Sequence, residues 1–348
     1  MLDDSPTRVL VTGGCGYIGS HAVAEVLRHT RAEVVVVDDL SNSPREVVDA
    51  LAEAGGRGLR FHGVDICDGA GLRRALRGYD GFDAVLHFAA RKSVPESLAD
   101  PLGYYANNVG GMIELLDYAR GAGVRAFVFS SSCIVYGDAA ALPVCETAPP
   151  GAPRSPYGHT KQLGEQLLRL APGMRRIGLR YFNPAGADNS GLLGDRGEGT
   201  YAGLAKVLCR AAQTGAPVRV FGADYPTPDG TCVRDYVHVS DIAEAHVAAL
   251  AWALEPGAAP ALEFVNLGSE RGYSVREAIA AFEHATGERL AVEDAPRRPG
   301  DLAASYGDCA KARRLLGWRA RRSLPEIMES AWAWTRMSRA VPAAPTAR

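Results

Sequence analysis

The sequence predicts an α/β fold, in which a doubly wound parallel sheet carries a smaller mixed α/β domain. Three observations point there. Short, unbroken, β-branched apolar runs recur through the first half of the chain, helix-like stretches separate them, and a glycine-rich turn joins the first run to the first of those stretches. Parallel strands are covered on both faces by helices, so they present continuous apolar runs rather than alternation. Strand–helix alternation at this spacing marks a doubly wound sheet.

In chain order, Arg8–Gly14, Val34–Asp38, Arg60–Ile66, Ala84–Ala90, Ala126–Ser132 and Ile177–Asn183 read as buried strands. Helices are expected near 18–29, 44–54, 70–78, 102–121 and 157–170. After about residue 184 the rhythm breaks, and 184–200 and 222–232 have the Gly, Pro, Asp and Thr content of loops. Glu263–Gly268 reads as one more buried strand returning to the main sheet. The first domain is therefore expected to comprise 1–183 with the returning strand at 263–268, and the second 184–262 and 269–337. Residues 338–348 have the composition of a disordered tail.

At 348 residues, 47% hydrophobic and 22% charged, the chain has ample material for a core. A net charge of -2 supplies no positive field to hold nucleic-acid phosphates. No apolar run approaches the length of a membrane helix, and the N-terminus enters a strand pattern without a signal-peptide pattern, so a soluble cytoplasmic protein is expected. Seven scattered cysteines without a C-x-x-C fit reduced thiols, and no H-x-H or H-E-x-x-H appears, so no metal is expected.

The first strand ends in Gly13-Gly14-Cys15-Gly16-Tyr17-Ile18-Gly19, ahead of a helical pattern. Gly13 permits the tight turn, Gly16 lets backbone approach a pyrophosphate, and Gly19 lets the helix sit close to the sheet. The helix N-terminus then faces the diphosphate. With strand before, helix after and Asp38 about twenty residues on, this is a Rossmann-type dinucleotide site rather than a plain structural turn. An acidic residue at 38 accepts the ribose hydroxyls of NAD and repels the 2′-phosphate of NADP. Asp65-Ile66 could hold the adenine amino group, and Phe88-Ala89-Ala90 ends a strand at the edge where ligands sit. His87 reads as a core histidine.

Tyr157 and Lys161 stand at i and i+4, sharing one helix face. Positive charge from Lys161 and a nicotinamide would lower the phenol pKa toward neutrality, making Tyr157 a general base on a sugar hydroxyl. The competing reading is a Tyr–Lys pair on a solvated face. Ser130-Ser131-Ser132, ending the fifth strand, weighs against it, and Ser132 is the serine expected to bond the reacting oxygen. His159 reads as structural.

These blocks resemble one family closely. G-G-C-G-Y-I-G at 13–19, F-S-S-S-C-I-V-Y-G at 129–137, S-P-Y-G-H-T-K at 155–161, R-Y-F-N-P-A-G at 180–186 and D-Y-P-T-P-D-G-T-C-V-R-D-Y-V-H-V at 224–239 are similar to those of UDP-glucose (UDP-galactose) 4-epimerases of the extended short-chain dehydrogenase/reductase superfamily. The resemblance runs from about residue 8 to 335. It implies that Gly13, Gly16, Tyr17, Ile18, Asp38, Asp39, Asn42, Ser43, Asp65, Ile66, Phe88, Ala89, Lys92, Asn107 and Ser130 line the NAD cradle with Tyr157 and Lys161. It implies that Phe182, Asn183, Leu204, Phe221, Arg234, Tyr236, Arg298, Asp301 and Ser305 hold the UDP-sugar with Ser132 and Tyr157. Arginines suit the diphosphate through their planar fork of donors. The implied reaction removes the C4 hydroxyl proton through Tyr157 while hydride passes to NAD, turns the 4-keto sugar over, and returns the hydride to the other face. A homodimer through a four-helix bundle, formed by the helices near 102–121 and 157–170, is also implied.

Thr200-Tyr201-Ala202-Gly203-Leu204-Ala205 lacks the family's usual Pro-Asn-Leu-like start, which points either to loop drift or to a modified UDP-N-acetylhexosamine as substrate. Pro95 replaces a usual Gly. Ser305 stands where relatives confined to glucose and galactose carry a bulky aromatic, so a small residue there implies room for UDP-GlcNAc and UDP-GalNAc. A dehydratase would need a carboxylic acid just after Ser132, where Cys133-Ile134 stand instead. An NADP reductase is disfavoured by Asp38, and a non-catalytic NAD-binding protein by Ser132, Tyr157 and Lys161 together.

Overall fold

The computed structural model describes residues 7–139, 141–196, 203–298 and 300–340, with side chains through 338. The main sheet holds β1 (Arg8–Thr12), β2 (Glu33–Val37), β3 (Arg60–His62), β4 (Ala84–His87), β5 (Ala126–Ser132) and β6 (Arg175–Tyr181), later joined by β11 (Leu262–Leu267). Its strand order is β11-β6-β5-β4-β1-β2-β3, and every pairing is parallel. The order reverses between β1 and β4, which places a ligand crevice outside their carboxyl ends. Helices α1 (Tyr17–His29), α2 (Val47–Gly55), α3 (Gly69–Ala75), α4 (Val94–Ala99), α5 (Pro101–Tyr105), α6 (Gly111–Gly121) and α7 (Pro156–Leu170) connect the strands. One apolar cluster covers the face under α1 and α2, through Val9, Val11, Val23, Val34 and Leu51. A second covers the face under α6, through Leu10, Val35, Val85, Met112, Leu115 and Phe127.

The edge strand β3 is shorter than its apolar run: it stops at His62, having only β2 to pair with, and Asp65 lies exposed in the following turn. The run to Asn183 also divides. The chain leaves the sheet after Tyr181, and β7 (Asn183–Ala185) pairs elsewhere. The helix expected near 102–121 contains a π-helical segment, Ala106–Gly110, between α5 and α6.

The second region comprises α8 (Leu204–Thr214), β8 (Val218–Phe221), β9 (Val233–Arg234), β10 (Tyr236–His238), α9 (Val239–Ala253), β12 (Tyr273–Ser274), α10 (Val275–Thr286), β13 (Val292–Ala295), β14 (Ala304–Ser305), α11 (Ala310–Leu316) and α12 (Leu324–Ala340). Three small sheets form here, ordered β10-β7, β12-β9-β14 and β13-β8. Their core is a separate cluster of Leu208, Val218, Phe282, Ile327 and Met328. Helix α9 instead packs on α1, so this stretch belongs to the layer covering the main sheet rather than to the second core. Helix α12 continues through Ala340, past the point where composition puts the start of the tail, and 341–348 lie outside the described residues. No helix among the described residues is long and apolar enough to cross a membrane. None of the seven cysteines is bonded to another.

Candidate active site

The glycine loop has the shape a dinucleotide needs. Gly13 has φ 71°, and a Cβ there would lie 2.4 Å from the backbone nitrogen of Ala89. A Cβ on Gly19 would lie 2.2 Å from the Gly13 carbonyl oxygen, so α1 can approach the turn only without a side chain. At Gly16 the nearest atom would be the Gly13 oxygen at 3.3 Å, leaving this backbone bordered by open space. Gly16 caps α1 with no side-chain hydrogen bond, which keeps the helix N-terminus available to an anion. Asp38, 9% exposed, accepts from the N–H groups of Cys15 at 3.0 Å and Leu40 at 2.9 Å. Burial raises its pKa against the pull of these two bonds. The carboxylate is thus aimed beside the loop, with lone pairs left for ribose hydroxyls, so the loop and Asp38 fit the dinucleotide.

The other cradle residues border the same edge. Tyr17 fastens the loop to the second region by donating its hydroxyl to the Gly186 carbonyl at 2.6 Å, and the Lys92 ammonium lies 5.6 Å from its ring centre. Ser43 donates to the Cys15 carbonyl at 2.8 Å. Asp39 and Asn42 lie exposed just after β2, and Ile18 is half-buried in the first turn of α1. Ile66 is buried against Gly111, and the Phe88 ring packs 4.7 Å from that of His246. His87 bonds Thr12 at 2.8 Å, and burial lowers its pKa to about 3, keeping it neutral.

Strand β5 and helix α7 meet through the three serines. Tyr157, Lys161 and Glu165 follow one another by single turns of α7. Ser132 is near enough to the Tyr157 phenol to lower its pKa. The Ser130 carbonyl accepts from Lys161 Nζ at 2.7 Å. Ser131 donates to Glu165 Oε1 at 2.6 Å. Glu165 in turn holds Arg180 through two bonds, at 2.8 and 2.7 Å, with both side chains 3% exposed. Ser132 also caps the short 3-10 turn that follows β5, its Oγ accepting from the Ile134 N–H at 3.2 Å.

Among the protein's own groups, burial acts first to raise the Tyr157 phenol pKa and the Cys133 thiol next, while Ser132 pulls the other way. Lys161 Nζ is 6.0 Å from the phenol ring centre and spends a proton on the Ser130 carbonyl, so its charge does not offset the loss of water. Burial brings the pKa of Lys161 itself down to about 8, although Glu165 supports the charged form. His159 bonds the Tyr105 hydroxyl at 2.8 Å, tying α7 to α5.

At the substrate side, Arg298 Nε donates to Asp301 at 2.9 Å, and the Arg234 guanidinium lies 3.9 Å from the same carboxylate. The Arg298 guanidinium also sits 4.6 Å from the Phe221 ring centre. Two cations sharing one anion leave positive charge for a diphosphate, beside an aromatic face for a base. Ser305 pairs in register with Arg234. Burial pushes the Cys133 thiol up to about 12, while the nearby Ser305 and Ser132 side chains act in the lowering direction. Asn183 donates to the Asp235 carbonyl at 2.9 Å, and Leu204 opens α8.

Two of the expected substrate residues have buried rings. Phe182, 4% exposed, packs with Val135, Tyr136 and Val144, and Tyr236, 5% exposed, packs in the cluster of Leu208 and Phe282. Thr200, Tyr201 and Ala202 lie outside the described residues. Among the described residues no group of three or more His, Cys, Asp or Glu comes together to hold a metal.

Two supporting residues escaped the sequence reading. Asn108, 7% exposed, accepts from Arg91 N at 2.8 Å and donates to Arg91 O at 2.9 Å and Thr160 Oγ1 at 3.0 Å. It ties the π-helical segment, which also carries Asn107, to α7 and to the loop before Lys92. The signal was present, since paired asparagines inside a helical pattern are unfavourable without tertiary partners. Glu165 was the other, because a lone Glu in a helix looks like a surface charge.

Residues 9–265 match the NAD dependent epimerase/dehydratase family. A UDP-glucose 4-epimerase of Neisseria meningitidis serogroup B is 43% identical over 332 residues, spanning 94% of this chain and 96% of its own. A Stenotrophomonas maltophila UDP-glucose-4-epimerase structure with bound NAD and formylated UDP-arabinopyranose is 44% identical, with TM-score 0.91 over 96% of this chain and 100% of that one. The UDP-Glc/GlcNAc 4-epimerase structure from Campylobacter jejuni is 37% identical, with TM-score 0.81 over 95% of this chain and 99% of that one. With this sheet order, this glycine loop and likeness along nearly its whole length, the chain belongs to the UDP-glucose 4-epimerase family of NAD-dependent epimerases.

Proposed function

We propose that this protein inverts C4 of UDP-glucose and UDP-galactose, and that Ser305 extends the reaction to UDP-GlcNAc and UDP-GalNAc. The observation that carries the reading is the meeting of β5 and α7, which sets a phenol, a serine hydroxyl and an ammonium at the carboxyl edge of the sheet. NAD, when bound, supplies the acceptor and then the donor of the C4 hydride. Gly13, Gly16 and the N-terminus of α1 hold its diphosphate, and Asp38 its ribose hydroxyls. Tyr157 takes the proton of the C4 hydroxyl and returns it, with Ser132 bonding the same oxygen. Lys161 holds positive charge behind the phenol. Arg234 and Arg298 anchor the UDP, so that the sugar can turn over while the nucleotide stays fixed.

Ser305 supports the wider substrate range: its side chain is small, and it stands in register with Arg234, an expected UDP anchor. The Campylobacter jejuni relative is a UDP-Glc/GlcNAc 4-epimerase by name. Purified protein incubated with UDP-Glc, UDP-GlcNAc and their C4 epimers is expected to interconvert both pairs, as read by product separation. Ser305→Tyr is expected to cut turnover of the N-acetylated pair by about a hundredfold while sparing UDP-Glc. If UDP-GlcNAc turns over equally in wild type and variant, Ser305 does not set the range. Conversion of neither pair by NAD-loaded protein would favour a modified UDP-sugar, a reading encouraged by the formylated UDP-arabinopyranose in the Stenotrophomonas relative.

We further propose a two-fold homodimer through the run of α5 and α6 together with α7. Leu102 is 80% exposed, Leu170 78%, Leu98 62% and Ile113 49%, all on α4 to α7. Large apolar side chains in one region mark an interaction surface. Sedimentation is expected to show a dimer, and Leu102→Glu with Ile113→Glu a monomer.

A further inference from the structure

We propose that Asp235 is a positioning residue, which sets the sugar-contacting strands relative to the catalytic edge of the main sheet. This rests on the epimerase reading above. Asp235 separates Arg234 from Tyr236, and there the chain passes from one small sheet to another: β9 pairs with β14, and β10 with β7. Its two backbone groups go to different sheets. The N–H donates to the Ser305 carbonyl at 3.1 Å, and the carbonyl accepts from the Asn183 N–H at 3.0 Å. One residue thus carries both neighbours expected to face the sugar.

The side chain makes a third attachment. Its carboxyl accepts from Ser269 N at 2.6 Å, from Ser269 Oγ at 2.7 Å and from Gly307 N at 3.3 Å. Ser269 lies two residues past β11, a strand of the main sheet, and Gly307 two residues past β14. A Cβ on Gly268 would lie 2.3 Å from Asp235 Oδ2, so the chain closes tightly around the carboxyl. Asp235 is 0% exposed, and its partners are backbone N–H groups and one hydroxyl rather than a cation. The adjacent Arg234 guanidinium turns Nη1 to the Leu302 and Val233 carbonyls and lies 3.9 Å from Asp301, so it does not pair with Asp235. A carboxyl so deeply buried without a cation is costly for folding alone. Its return lies in what it joins: the Ser305 strand, the Asn183 strand and the end of β11 all meet on it.

Asp235→Asn tests the role. The amide keeps one oxygen for Ser269 but turns donors toward the Gly307 N–H, loosening the joint without emptying it. Misplacement of a reacting group by about an ångström costs roughly a hundredfold in turnover, and a loss of kcat of that order is expected. The NAD content of the purified protein should stay within about threefold, because the glycine loop does not touch Asp235. Leu254→Ala, a core change just past α9 at the amino end of β5 and β6, serves as the control for lost stability and should leave kcat near wild type. The proposal is overturned if Asp235→Asn keeps wild-type kcat, or if it loses NAD together with kcat, or if Leu254→Ala loses kcat equally. Wild-type protein that turns over no UDP-hexose would sink the underlying epimerase reading instead, and the wild-type assay shows this directly.

Discussion

Tyr157→Phe is expected to lower epimerisation by about 10²- to 10⁴-fold, the range for a lost general acid–base, while bound NAD and UDP affinity stay unchanged. The substitution removes one oxygen and leaves a ring of the same shape on the same turn of α7. Lys161 keeps its bond to the Ser130 carbonyl, and the Glu165–Arg180 pair is untouched. What disappears is the phenol oxygen proposed to take and return the C4 hydroxyl proton. The phenol is held above its ordinary pKa by burial, with the Cys133 thiol acting in the same direction. Cationic charge in the substrate-loaded site works against that and favours the phenolate. Turnover by the separated products, with NAD released by denaturation and counted per chain, checks the expectation. Substantial activity in the variant would move the proton-handling role away from residue 157.

Gly13→Ala is expected to abolish NAD retention and with it all turnover. Two separate costs fall on this position. The backbone sits at φ 71°, where a side chain costs roughly 1–2 kcal/mol. The new Cβ would lie 2.4 Å from Ala89 N, 2.6 Å from Ala89 Cα and 2.8 Å from Phe88 C. These are backbone atoms just past β4, and they cannot swing aside as a side chain would. The turn must therefore lift away from β4, carrying the start of α1 with it. Gly16→Ala offers the contrast, since its Cβ meets nothing nearer than 3.3 Å. That variant should fold with an unchanged Tm yet bind NAD more weakly, because the methyl projects into the space left for the cofactor. Melting curves and NAD counts on the two proteins separate a broken turn from a filled cradle. A Gly13→Ala protein with a full complement of NAD would show that the turn is more pliable than its contacts imply.

The main sheet was legible in the sequence because parallel strands buried on both faces cannot hide their composition: Val34–Val37 and Ala84–Leu86 are at most 1% exposed and apolar throughout. The second region was not, because β9, β12 and β14 have two residues each, too few to show any period. Helix α4 escaped for a similar reason: six residues opened by Ser93 and Pro95 look like a turn. The charged residues that hold the site together were the hardest to see. Glu165, Arg180 and Asp235 are buried by partners far away in the chain, which no local pattern announces. For Phe182 and Tyr236 the matched blocks located the segment but not the direction of the ring, which alternates with every residue along a strand.

The wide turn at Ala106–Gly110 gives one continuous rod two azimuthal phases. Ahead of it, Tyr104 is buried and donates to Glu96; behind it, Met112, Leu115 and Ala119 lie against the sheet. Each α-helical residue advances the rod by about 100°, so the number of residues between those two contacts is quantised. Shortening the segment by one would twist the Met112 stripe off the sheet while Asn108 lost its grip on Thr160. The length of this piece of chain is thus constrained as tightly as its composition.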